Sequence, residues 1–131
     1  MKVALALLVF LSTALCCLKF NINNNVSFEG NWEKIDANVV QLAVGIDGRI
    51  WGLDSAGLIT TRNGVDGAWE SYNGVLKQIT VAVSGRVWGI NMENRIYSMA
   101  VYGEMFSIVN GRLKQIAVAT DGRVWGVNAN G

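Results

Sequence analysis

Apolar and polar positions alternate in short bursts along this chain. Runs of three to six residues rich in Val, Ile, Trp and Tyr are broken by glycine and by Asn or Asp, and beyond the N-terminal run no stretch sustains a 3.6-residue apolar period. Such runs, bounded by turn residues, predict short antiparallel strands. Over the middle of the chain the expected order is a strand from Trp69 to Tyr72, a turn at Asn73-Gly74, a strand from Leu76 to Val83, a turn at Ser84-Gly85 and a strand from Arg86 to Asn91. A turn around Glu93-Asn94 and a strand from Arg95 to Met99 follow. Asp47-Gly48 and Asp121-Gly122 predict tight primed hairpin turns, because Gly and Asp tolerate positive φ. Within Arg86 to Asn91, alternation places Arg86, Trp88 and Ile90 on one face and Val87, Gly89 and Asn91 on the other.

The pattern recurs. Leu113 to Asn128 reads LKQIAVATDGRVWGVN and is identical at 12 of 16 positions to Leu76 to Asn91, LKQITVAVSGRVWGIN; Val39 to Asp54, VVQLAVGIDGRIWGLD, is a looser copy. A step of 37 residues links Trp51, Trp88 and Trp125, and equally Gln41, Gln78 and Gln115, Gly48, Gly85 and Gly122, and Arg49, Arg86 and Arg123. Trp32, Trp69 and Phe106 keep the same step. A drift-free period of this size means a solenoid, a propeller or an array, and four strands per unit make one propeller blade. The Asn-rich segment from Phe20 to Asn31 is in phase, with Ile22 on Ile59 and Ile96, so the units are 32–68, 69–105 and 106–131 with a partial one at 20–31. A blade with an indole on one face and a glycine on the other leaves room for a neighbour's ring. Burying an indole is worth about 4 to 6 kcal/mol as an upper figure, so Trp51, Trp88 and Trp125 are expected in the blade core.

Composition narrows the setting. Met1-Lys2, the apolar run Val3 to Leu11 and the small residues up to Cys16 have the pattern of a signal peptide over 1–16, with cleavage after Ala14 or Cys16. The mature part, 17–131, would then be secreted and extracellular, and the sequon Asn25-Val26-Ser27 agrees. The two cysteines, Cys16 and Cys17, build no disulfide framework: both leave with the leader, or Cys17 stays as a lone thiol. With 11 basic and 10 acidic residues the chain carries no electrostatic footprint for nucleic acid or, once the leader is gone, for a membrane. His is absent. With no nucleophile paired to a base and no metal-ligand cluster in the sequence, the expectation is a non-enzyme without metal or cofactor.

The units LKQITVAVSGRVWGIN and LKQIAVATDGRVWGVN, with Trp32 or Trp69 ahead and Asn94-Arg95-Ile96-Tyr97 behind, closely resemble tectonin repeats, as found in fish-egg lectins, tachylectin-type lectins and slime-mould tectonins. The resemblance implies an all-β propeller that binds carbohydrate, often on microbial surfaces or eggs. Such propellers usually carry five or six repeats in one chain, whereas this one has about three. Closed rings need about four to eight blades. Either two or more chains share a ring as a homo-oligomer, or the sequence is a fragment of a longer repeat protein.

A sugar site needs an aromatic platform and planar or charged groups for vicinal hydroxyls. Arg49, Arg86 and Arg123 with Asp54, Asn91 and Asn128 recur near strand ends and are candidates for a shallow pocket between blades, although Asp and Asn at a strand end also serve as turn formers. Tyr97 and Tyr102 are candidates for exposed contacts. The expected function is that of a secreted lectin for cell-surface or microbial glycans, bacterial surface polysaccharide included, in a setting such as innate defence. Its weak sites would gain roughly 10² to 10⁴ by acting together. The alternative is a non-catalytic scaffold for protein–protein interaction.

Overall fold

The computed structural model describes residues 14–18, 32–101 and 103–128, in two compact units, 1–39 and 40–131. All regular structure among the described residues is β. In the first unit β1 (Ala14–Leu18) pairs antiparallel with β2 (Trp32–Asp36), Ala14 opposite Asp36 and Leu18 opposite Trp32. Residues 1–13 of the expected leader, the sequon at Asn25 and the partial unit 20–31 lie outside the described residues. Cleavage after Ala14 or Cys16 would divide β1.

The second unit holds two four-stranded antiparallel meanders and a two-stranded hairpin. The first sheet is β3 (Gln41–Val44), β4 (Arg49–Leu53), β5 (Leu58–Asn63) and β6 (Glu70–Val75), paired in chain order. The second is β7 (Gln78–Val81), β8 (Val87–Ile90), β9 (Arg95–Met99) and β10 (Ser107–Arg112). The third is the pair β11 (Gln115–Val118) and β12 (Val124–Val127). Short loops between runs of alternating polarity leave antiparallel neighbours as the natural pairing. The chain is thus a partial propeller whose inner strands β3, β7 and β11 lie side by side in that order.

The sheets divide the chain at a different phase from the sequence period. The stretch after Trp69 closes the first sheet on β5 instead of opening the second, and only Leu76 and Lys77 separate β6 from the next sheet. Asn73-Gly74 is not a turn. It lies inside β6 as a bulge, between the pairs Ile59–Tyr72 and Leu58–Val75, with Gly74 at φ 131°. Asn110-Gly111 repeats the device in β10, where Gly111 has φ 118°. The positive φ that reads as a turn signal here takes up extra residues in a strand.

The hairpins also differ from the expected primed type. Gly48 donates to the Gly45 carbonyl at 3.0 Å and Gly45 donates to the Arg49 carbonyl at 2.8 Å, with Gly48 at φ 80°. Asp47 keeps an ordinary φ, since Asn94 is the one non-glycine with positive φ among the described residues. This is a tight turn followed by one left-handed glycine, the next most common hairpin loop. The same bonds recur at Ala82, Gly85 and Arg86 and at Ala119, Gly122 and Arg123.

The sheets stack through two apolar joints. In the first, Trp51, Leu53 and Ile59 meet Leu76 and, from the second sheet, Ile79, Val87 and Met99, all buried. In the second, Ile90, Ile96 and the half-buried Trp88 meet Ile116 and Leu113. The alternation along β8 is therefore as expected, with Val87 in one joint and Trp88 and Ile90 in the other. The role given to glycine is not. A Cβ on Gly89 would stand 2.4 Å from Cδ1 of Leu76, and one on Gly126 would stand 2.4 Å from Cδ1 of Leu113. A leucine of the same repeat fills the space, not a neighbour's ring. It is drawn there because Leu76 and Leu113 donate their N–H groups to carbonyls of the preceding sheet, Gly57 and Asn94, both at 2.9 Å.

Candidate functional site

Arg49, Arg86 and Arg123 each begin or directly precede the second strand of a sheet, just after the first hairpin turn, so all three emerge at one end of the stack. Their surroundings differ. The Arg49 backbone N–H is held by Asp47 Oδ1 at 3.1 Å, its Nε donates to Asn63 Oδ1 at 3.0 Å, and its guanidinium carbon lies 5.9 Å from the centre of the Trp51 ring. Asn63 stands directly opposite Arg49 in the β4–β5 ladder. The sequence period does not point to Asn63, because Ala100 occupies that place in the next unit; the hairpin register would have found it. Without that asparagine, Arg86 reaches Ser98 Oγ through Nη1 at a long 3.4 Å. Arg123 pairs with Asp121, Nε to Oδ2 at 3.1 Å, in an exposed arrangement worth about 0 to 1 kcal/mol.

Asp54 and Asn91 lie at the other end of the same strands. Asp54 Oδ1 accepts from the N–H groups of Ala56 and Leu58 at 2.9 and 2.8 Å, and Asn91 Oδ1 accepts from Glu93 and Arg95 at 3.0 and 2.9 Å. Both side chains close their own turns, the structural role weighed for them above. Asn128 follows β12 at the corresponding position. Five steps of extended chain, about 17 Å, separate each Arg from its Asp or Asn. The structure does not bring the two sets into one pocket.

What it does assemble is a shallow cleft between the first two sheets. Asp47, Arg49 and Trp51 form one wall, and Val81, Val87, Met99 and Val101 the other. Its base is rigid. Trp51 is 3% exposed, and Tyr72 meets it edge-on at 5.2 Å and meets Phe106 edge-on at 6.0 Å. The Tyr72 hydroxyl donates to the Gly103 carbonyl at 2.9 Å and lies 2.8 Å from Met99 Sδ. Burial, with Glu104 adding to it and Arg49 opposing, holds the Tyr72 phenol above its usual pKa. Tyr97, expected as an exposed contact, packs half-buried against the same core, and Tyr102 lies outside the described residues. Among the described residues no group of three or more His, Cys, Asp or Glu is placed to hold a metal ion.

The sequence profile of the Tectonin domain matches residues 21–131. The chain belongs to the tectonin family. No curated protein matches it at a significant level. In tectonin terms the recurring words divide into two kinds. Leu-Lys-Gln, Trp-Gly and the Asp or Asn after it build the blade and its joints, while the Arg that follows each hairpin glycine stands at one rim, half-buried at Arg49 and exposed at Arg86 and Arg123. Within this tectonin unit the rim carries planar cations beside apolar walls, an arrangement suited to neutral polyhydroxy or acidic ligands.

Proposed function

We propose that this tectonin chain is an exported carbohydrate-binding protein that engages repeated surface glycans, microbial polysaccharide among them, at the rim of its blades. The observation that carries this reading is the cleft of Asp47, Arg49 and Trp51, in which the Nε–H bond to Asn63 holds the guanidinium in a fixed orientation at the cleft wall. One oriented guanidinium and a carboxylate acceptor are the groups that vicinal hydroxyls need, and Val101, 38% exposed, offers the apolar contact, while Trp51 is buried beneath the wall as its support. Arg86 and Arg123 stand at the same place on the following sheets, so the guanidinium recurs along one rim, and contacts built on it would act together. Asp54 and Asn91 have no part in the proposed site, since their oxygens already serve their turns. The leader pattern and the neutral charge balance support action outside the cell.

The test is a glycan array of microbial and animal sugars, probed with the full chain and with Arg49→Ala. The wild type is expected to give defined positives, and loss of the charge-assisted bonds from one Arg, about 1.5 to 3 kcal/mol, should weaken them about tenfold or more. A flat array would sink the lectin reading and leave the non-catalytic scaffold in its place.

A further inference from the structure

At the end of the sheets opposite the Arg49 cleft, the backbone repeats and the side chains do not. Leu58 and Val75 are partners at the bulged end of the β5–β6 ladder, and Arg95 and Arg112 are partners at the same place in the β9–β10 ladder. Leu76 and Leu113 follow with the same N–H bonds, to the Gly57 and Asn94 carbonyls. Val40 and Lys77 likewise make one and the same backbone bond, to the Leu53 and Ile90 carbonyls. The first sheet thus builds this end with Val40, Leu58 and Val75, and the second builds it with Lys77, Arg95 and Arg112. Asn91 stands where the first sheet has Asp54, so an acid is lost where the cations are gained. Like charges directly opposite in a ladder destabilise it. The fold does not require these cations, and their placement works against it.

The cations converge on one turn. Arg112 Nη1 donates to the Glu93 carbonyl at 2.6 Å, Arg95 Nε lies 2.9 Å from Glu93 Oε2, and Lys77 Nζ donates to Asn94 Oδ1. Lys114, exposed, follows Arg112 by two residues. Lys77, Arg95, Arg112 and Lys114 therefore stand about a turn that carries the single carboxylate of Glu93, in a chain whose charges otherwise nearly balance. Asp54, on the neighbouring sheet, closes its own turn through Oδ1. The Glu93–Arg95 pair is exposed on both sides, and such pairs hold weakly in water. An oxyanion of higher charge can displace that carboxylate and meet both guanidinium groups, whose planar forks match phosphate and sulfate oxygens. We propose that this turn is an anion site for a phosphate or sulfate ester on an acidic polysaccharide, a second point of contact at the far end of the sheets from the Arg49 cleft. That a glycan carries the ester rests on the function proposed above; the anion site itself does not. Met92, 63% exposed, is the one apolar side chain of the turn, so this end of the second sheet offers charge with little to bury in lipid, which favours a polysaccharide over a membrane.

Isothermal titration of the full chain with dextran sulfate and with uncharged dextran tests this. The wild type is expected to bind dextran sulfate, more weakly as salt rises, and inorganic phosphate and sulfate should compete. Arg95→Leu combined with Arg112→Val copies the pair that the first sheet already accommodates, so circular dichroism should show the variant folded. Its affinity for dextran sulfate should fall about tenfold or more. Glu93→Gln removes the one carboxylate and should bind about threefold tighter, a gain that no loss of folding imitates. A double variant that binds like the wild type would overturn the proposal, and so would weaker binding by Glu93→Gln. Vesicles of phosphatidylglycerol in phosphatidylcholine form the other arm: capture on them through Arg95 and Arg112, without binding to dextran sulfate, would overturn the polysaccharide in favour of a membrane. Dextran sulfate binding that needs Arg95 and Arg112, in a chain with no Arg49-dependent signal on the glycan array, would uphold this site and sink the Arg49 cleft. A positive array with indifference to dextran sulfate would do the reverse.

Discussion

Tyr72 shows how one side chain unites two sheets. Its ring meets Trp51 and Phe106 edge-on and its hydroxyl ends on the Gly103 carbonyl of the neighbouring sheet's loop. No repeat partner marks it: Ile35 and Val109 stand one period away. Burial raises the Tyr72 pKa above its ordinary 10.0. The neutral phenol therefore contributes stability that is complete below about pH 10, the unfolded value, and that is lost as pH rises through the higher folded value. Tyr72→Phe should cost about 1 kcal/mol at pH 7 through the lost hydrogen bond, a few degrees of melting temperature. Between pH 10 and 11 the wild type should lose melting temperature faster than the variant. Parallel pH curves would contradict the assignment. Asp54 and Asn91, by contrast, were legible as turn formers from residue type alone, because a short acceptor before a glycine or asparagine turn bonds its own backbone.

Among the elements, the glutamine that opens each inner strand matters most. Gln78 saturates both backbone groups of Ile116, so Gln78→Ala leaves a donor and an acceptor without their partner at the joint. A loss of about 1 to 3 kcal/mol is expected in urea unfolding. Gln115→Ala, at an exposed residue, should change stability by about 0.5 kcal/mol or less, as for a surface site. Equal losses at the two positions would argue against that role for Gln78. Spacing put Gln41, Gln78 and Gln115 on one register but could not say what they hold, since the partners of Gln41 and Gln78 come from another sheet 38 residues on. The bulges at Gly74 and Gly111 were hidden for a related reason: positive φ is the same local signal in a turn and in a bulge, and the register of the paired strand separates them.

Over the whole molecule, identical words end in unlike surroundings. Trp51 is 3% exposed between two sheets and Trp125 is 63% exposed. Trp51→Ala should cost about 3 to 5 kcal/mol, as large core truncations do, while Trp125→Ala should cost about 1 kcal/mol or less. Calorimetric or urea unfolding of the two variants measures the contrast, and similar losses would refute the two-joint description. The sequence by itself determined the all-β class, the 37-residue unit, the tectonin family and which residues alternate between faces, because strand period and turn chemistry are local. Only the tertiary structure decided the rest. It placed Arg49 and Asp54 at opposite ends of β4, set Leu76 in the space above Gly89, paired Asn63 with Arg49, and buried one tryptophan of three while leaving another bare. Those outcomes depend on which sheet stands next to which, and a repeat read along the chain is the same in every copy whether or not a neighbour covers it.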